Sequence, residues 1–178
     1  NREALHQAFM DCDAVAHCAG INRELHRQTY QAVHIDGTAN VVRAAEDAWN
    51  RRDLQSILLA STIDCQWRNR VNFLWGREQI RTFLERQLRR ELDLRIVIEL
   101  WAESDHRLST RHAAEFRNDS GTWFRVYGSE EIEFDDAGLV RRRLTAANEH
   151  PVQEHERALR WAEGPRPADQ PSLTELGF

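Results

Sequence analysis

From Leu94 to Ala147 the chain alternates apolar and polar side chains with period two, and this limits the fold more than any other feature. Leu94, Ile96, Ile98 and Leu100 alternate with Arg95, Val97, Glu99 and Trp101. Polar links interrupt the alternation at Glu103-Ser104-Asp105-His106, Asn118-Asp119-Ser120-Gly121 and Asp135-Asp136-Ala137-Gly138. Such links between alternating runs are hairpin signals. The runs Arg107 to Phe116, Thr122 to Phe134 and Leu139 to Ala147 are therefore expected to continue one long antiparallel meander.

Upstream of Leu94 the period is 3.6. Val41, Val42, Ala45, Ala48 and Trp49 hold one apolar phase, which predicts a helix from Thr38 to Trp49. Asp53 can cap a short second helix, Leu54 to Ser61. Cys65 to Arg70 reads as a strand. Gly76 precedes the clearest helix, in which Ile80, Phe83, Leu84 and Leu88 share a face. Helices first and a meander afterwards predict an α+β domain, its helices packed on one face of a curled sheet.

Composition narrows the partners. The 178 residues carry a formal net charge of -5 at pI near 5.9, which argues against nucleic acid, since phosphate binding wants a basic face. No run approaches the roughly 18 apolar residues of a membrane span, so no membrane partner is expected and a cytoplasmic location is. Cys12, Cys18 and Cys65 are irregularly spaced and read as reduced thiols. No CxxC or HxxxH pair supplies metal-ligand spacing, so no metal is expected. All 24 Lys+Arg residues are arginine, which excludes any mechanism that needs a lysine amine.

Polar residues on apolar faces mark the candidate chemistry. Phe124, Val126, Glu130, Ile132 and Phe134 share one strand face with Gly128. A carboxylate there is either desolvated and fit for proton transfer or paired with an arginine as a brace. On the preceding strand His112 lies with Leu108, Thr110, Ala114 and Phe116, as a core histidine or a general base. Arg111 and Glu115 share the opposite face, as do Arg125 and Tyr127. Those alternating charges read as a salt-bridge ladder, a dimer surface or an anion platform. Arg68 and Arg70 of Trp67-Arg68-Asn69-Arg70 suit internal pairing or a carboxylate clamp. Downstream of Trp161 the prolines 165, 167 and 171 preclude a helix, so the tail should wrap the domain in extended form and dock Leu173, Leu176 and Phe178.

Trp67-Arg68-Asn69-Arg70, Gly76-Arg77-Glu78, Phe83-Leu84, Glu99-Leu100-Trp101 and Trp123-Phe124-Arg125-x-Tyr127-Gly128-x-Glu130 resemble the nuclear-transport-factor-2-like superfamily, in its SnoaL-like bacterial branch of unknown function. The resemblance covers residues 45–178. It implies a cone-shaped curled antiparallel sheet with N-terminal helices on its concave face, a pocket between them, and a homodimer formed through the sheet. It also adds Glu99 and Trp101 to the candidate ligand contacts, beside Trp67, Arg68, Arg70, Arg111, Glu115 and Arg125. The expected function is binding of a small organic molecule. As an enzyme the chain would be a cofactor-free proton-transfer lyase, isomerase or hydrolase. Glu130 would be the acid/base, His112 or Tyr127 would assist, and Arg68, Arg111 or Arg125 would orient an anionic substrate. Glu130→Gln should then abolish turnover and leave the fold intact. The alternative is a non-catalytic interaction or scaffold domain.

Residues 1–44 resemble something else. Asp13 to Gly20 and His34-Ile35-Asp36-Gly37-Thr38-Ala39-Asn40-Val41-Val42 are similar to a piece of an NAD-dependent epimerase of the short-chain dehydrogenase type. The Gly-rich phosphate turn and the family's Tyr-x-x-x-Lys pair are both missing. The segment is expected to be a leader rather than an independent domain, and no cofactor is expected to bind; an NAD-binding epimerase remnant is the further alternative.

Overall fold

The structure, a computed structural model, describes residues 36–104 and 106–178. The epimerase-like segment lies outside the described residues as far as residue 35, and its remainder opens the first helix. That helix, α1 (Asp36–Asn50), crosses the boundary at residue 45 without a break. It buries Val42, Glu46, Trp49 and Asn50. In α2 (Leu54–Leu59) the N-cap Asp53 accepts from the Ser56 backbone N–H at 3.0 Å and from its hydroxyl at 2.6 Å.

After β1 (Ser61–Asn69) the chain turns at Arg70 and Val71 into β2 (Asn72–Trp75), a short strand with no local sequence signal. Helix α3 (Gly76–Arg90) buries Ile80, Leu84 and Leu88 along one stripe. Its ends suit the helix dipole, with Glu78 in the first turn and Arg89 and Arg90 in the last. Then come β3 (Leu92–Ser104), β4 (Arg107–Arg117), β5 (Trp123–Phe134) and β6 (Val140–Val152).

The six strands form one curled, unclosed sheet in the order β2-β1-β6-β5-β4-β3. The expected α+β architecture is what the chain adopts, with one addition: β1 runs parallel to β6, so the sheet is mixed. Only chain closure over long range can set that pairing, which is why local hairpin signals did not disclose it. β4 and β5 pair without interruption from Arg107↔Glu133 to Arg117↔Trp123, whereas β3 shifts register against β4 twice. Such irregularities add twist and help the sheet curl.

Two cores result. The main one lies between the helices and the concave face and contains Trp49, Leu58, Trp67, Ile80, Leu84, Ile96 and Phe116. The second lies on the outer face, where the C-terminal tail buries Leu159 and Leu173 against Val97 and Ala113. Tyr127, Trp161, Leu176 and Phe178 pack around it.

Helix α1 also closes part of the β3 edge. The Asn50 amide donates to Ile96 O at 2.9 Å and accepts from Ile96 N–H at 3.0 Å, as a neighbouring strand would. Glu46 accepts from Ile98 N–H at 2.8 Å and pairs with Arg166 of the tail at 2.9 Å. No helix among the described residues is long and apolar enough to cross a membrane.

Candidate functional site

The concave face is built row by row from strand register. Ile98, His112, Gly128 and Ala147 align across β3, β4, β5 and β6. The neighbouring row sets Thr110 beside Glu130 and Glu130 beside Thr145. On the other side Ala114 aligns with Val126, and Val126 with Glu149. Because a strand's side chains alternate, these residues all face the helices.

Between sheet and helices lies a cavity of about 330 Å³. Trp49, Phe83, Leu94, Ile96, Phe116 and Val126 supply apolar walls. His112, Glu130, Arg143 and Thr145 make a polar floor, and Glu91 enters from the end of α3. Asn69, Arg70, Arg86, Arg90 and Glu149 surround the mouth. The volume is near the lower end of the roughly 300–1,000 Å³ typical of small-molecule sites.

Glu130 is 6% exposed and firmly partnered. Arg143 grips both carboxylate oxygens through Nε and Nη2, and the Thr145 hydroxyl donates at 3.2 Å. The Arg143 guanidinium in turn stacks on Trp67 at 4.6 Å and Trp49 at 5.3 Å. Burial pushes the Glu130 carboxyl upward, but the charge of Arg143, aided by His112 and the two donors, outweighs it and holds the group below the ordinary range. This carboxylate stays ionised.

His112 is 8% exposed, and no hydrogen bond from a described residue reaches its ring. The ring occupies the space that a side chain at residue 128 would need. Burial lowers its pKa, with the Glu130 charge opposing the shift, so the imidazole is neutral near pH 7.

Glu91 was not singled out from the sequence. It is 8% exposed, accepts from the Gln87 amide at 3.1 Å, and forms no ion pair among the described residues. Burial raises its pKa to about 7, against the pull of Gln87, Arg90 and Arg70 and with reinforcement from Glu149. A signal was present: Glu91 continues the α3 stripe of Ile80, Leu84 and Leu88 by one further helical step. The rim arginines Arg86 and Arg90 likewise fall on successive turns of that helix.

Of the residues expected in a site, the cavity gathers His112, Glu130 and Arg70. Trp67 is buried under Arg143. Arg68, half-buried, alternates to the other face. Glu99, Trp101, Arg111, Glu115, Arg125 and Tyr127 lie on the outer face, away from the cavity. There Glu99 accepts from Arg111 at 2.6 Å and from Leu173 N–H at 2.7 Å. Glu115 accepts from Arg125 at 2.7 Å and from the tail amides of Ala158 and Leu159 at 3.0 and 3.1 Å. Tyr127 packs edge-on against Phe178, and Trp101 is 69% exposed with Arg111 over its ring. The alternating charges thus form a ladder whose upper rung is the tail. Among the described residues no group of three or more His, Cys, Asp or Glu side chains is arranged to hold a metal ion.

Residues 32–160 match the family described as Protein of unknown function (DUF1348). The match begins at residue 32, so it takes in the last part of segment 1–44, whose expected resemblance to an epimerase is not supported, and it stops inside the tail. Among solved structures, the chain is similar to an NTF2-like protein of unknown function from Burkholderia pseudomallei, at 17% identity and TM-score 0.55, covering 62% of this chain and 91% of that one. It is also similar to SalBIII, an epoxide hydrolase/cyclase-like enzyme of pyran ring formation in the polyether salinomycin, at 14% identity and TM-score 0.55, covering 65% and 95%. A third is a protein of ketosteroid isomerase-like fold from Catenulispora acidiphila in complex with trimethylamine, at 14% identity and TM-score 0.54, covering 60% and 83%. These likenesses show the nuclear-transport-factor-2-like fold. No curated relative matches the chain.

Proposed function

We infer that this chain, which belongs to the DUF1348 family of proteins of unknown function, binds a small organic molecule in the cavity beneath Trp49 and moves a proton on it. One observation carries the reading: His112 and Glu91 share the cavity, neither held in an ion pair among the described residues, and burial shifts both toward neutrality from opposite sides. A histidine pushed down and a carboxyl pushed up to about 7 suit a base and an acid working together near neutral pH.

His112, neutral and without a hydrogen-bond partner among the described residues, is the base that accepts the proton. Glu91, protonated in part of the population, is the acid that returns one to another atom of the substrate. That combination serves isomerisation or elimination without a bound cofactor. Glu130 acts by charge: its anion favours a proton arriving on His112, while Arg143 and Thr145 keep it ionised. The fold also carries catalysts such as the SalBIII enzyme of pyran ring formation, but fold alone does not assign chemistry.

The test is to identify by mass spectrometry the molecules that co-purify with the wild-type chain and not with Ala147→Trp, which fills the cavity. Those molecules are then incubated with fresh protein in deuterated water. Deuterium incorporation or conversion that stops in His112→Gln and slows in Glu91→Gln supports the reading. A retained molecule that emerges unchanged identifies a binding domain without chemistry. Equal retention by both proteins removes the cavity as the site.

A further inference from the structure

The rim of the cavity carries more positive charge than it neutralises. Arg70 and Arg90 both spend their charge on the one carboxylate of Glu149, at 3.1 and 2.6 Å. Arg86, one helical turn before Arg90 and also lining the mouth, forms no ion pair or hydrogen bond with a described residue. On the floor, Glu130 and Arg143 cancel each other. Two of these three arginines are also held in place. Arg70 sits in the left-handed backbone region at φ 55° with its N–H donating to Thr145 O at 2.9 Å, and Arg90 stacks on Phe116 at 5.5 Å.

We propose that the cavity takes an anionic ligand, a small molecule with an apolar ring or chain and a carboxylate or equivalent oxyanion, seated with the acid group at the Arg86, Arg90 and Arg70 rim and the apolar body between Trp49, Phe83 and Phe116. The inference rests on the cavity being the binding site. Its logic is charge complementarity: a planar guanidinium with unused donors prefers an oxyanion, and the walls between rim and floor are mainly apolar, with Gln87 and Glu91 the polar exceptions. A neutral ligand would leave Arg86 unmatched, and a cationic one would meet like charge at the entrance. The seating also gives direction, because the end remote from the acid group reaches His112.

The probes are 2-naphthoate and its neutral relative 2-naphthamide, titrated calorimetrically into the full chain at low and high salt. Naphthoate is expected to bind about tenfold or more tightly than the amide, with the advantage shrinking at high salt. The double change Arg86→Gln with Arg90→Gln should erase the preference. Arg86→Glu, on an exposed helix position and so compatible with folding, should turn the preference against naphthoate. Ala147→Trp should abolish both. Equal binding of the two probes, or a preference that survives the arginine changes, overturns the anionic class while leaving the cavity as a binding site. Binding that survives Ala147→Trp places it elsewhere and overturns the proposal. Binding of neither probe also overturns it, and the retained-molecule experiment then judges the cavity on its own.

Discussion

His112 on β4 and Gly128 on β5 stand opposite each other, and the imidazole takes the room that a side chain at 128 would fill. A Cβ there would lie 2.5 Å from both Cε1 and Nε2 of the ring and 2.8 Å from Ala146 O. The glycine answers to the close approach of the ring and of Ala146 O rather than to its own dihedral, since its φ is not in the left-handed region.

Gly128→Ala is therefore expected to lower stability by about 1–3 kcal/mol, the range for overpacking a filled site. Removing the ring in the same chain, as Gly128→Ala with His112→Ala, should recover part of that loss, leaving only the backbone clash. Urea denaturation of the single and double variants measures the coupling. Strictly additive losses would show that the two residues do not compete for space.

Glu91 links stability to pH. Its carboxyl is raised by burial from 4.5 to about 7, so the folded chain holds a proton that the unfolded chain has released between those values. The contribution is whole below about pH 4.5 and is lost as pH rises through 7. The full shift corresponds to roughly 3 kcal/mol at most. Relative to Glu91→Gln, the wild-type chain should lose about 1–3 kcal/mol between pH 5 and pH 8. Denaturation curves with the same pH slope in both proteins would refute the assignment.

The Glu130 and Arg143 pair gives the opposite sign. Its carboxyl is held below the ordinary range, so its contribution is present at neutral pH and disappears as pH falls through the acid range. Removing one partner of a buried pair typically costs about 3–5 kcal/mol. Glu130→Gln and Arg143→Met should each fall in that range, and the double variant should lose less than the sum. The expectation that Gln at 130 spares the fold gives way here, because Arg143 would be left charged and largely buried without its partner. A Glu130→Gln protein as stable as wild type would show that the pair is not a brace.

Asn50 tests the edge of the sheet. Asn50→Leu keeps the volume but leaves the N–H and C=O of Ile96 without partners, and each buried orphan costs about 1–3 kcal/mol. A loss of about 2–4 kcal/mol is expected, together with faster hydrogen exchange at the Ile96 amide. Unchanged exchange would mean that water replaces Asn50 freely.

Much of this architecture could be read from residue spacing. The helices at Asp36–Asn50 and Gly76–Arg90 and the four long strands follow from periodicity and polar links, which are local properties. The strand Asn72–Trp75 could not be read, because its turn places Arg70 at φ 55° where a glycine or asparagine signal would ordinarily appear. His112 and Glu130 stood out as polar residues on apolar faces. Whether Glu130 was free depended on Thr145 standing opposite it, a pairing that only register fixes and that brings Arg143, two positions back on the same strand, to its carboxylate. Glu91 ended a helix stripe and was legible in principle. The outer-face residues carried a correct charge alternation but no clue that the tail would cover them, since that contact joins residues far apart in sequence.

The side chains of Asn50 and Glu46 have a consequence for how copies of this molecule can meet. An incoming strand at the middle of β3 would first have to evict both side chains, together with the Arg166 contact that anchors Glu46. The opposite edge, β2, has no such guard among the described residues, which leave Phe73 and Trp75 largely exposed. A sheet open at both ends can add copies without limit, as fibres do. With the middle of β3 blocked, any joining of copies through β2 would stop at two.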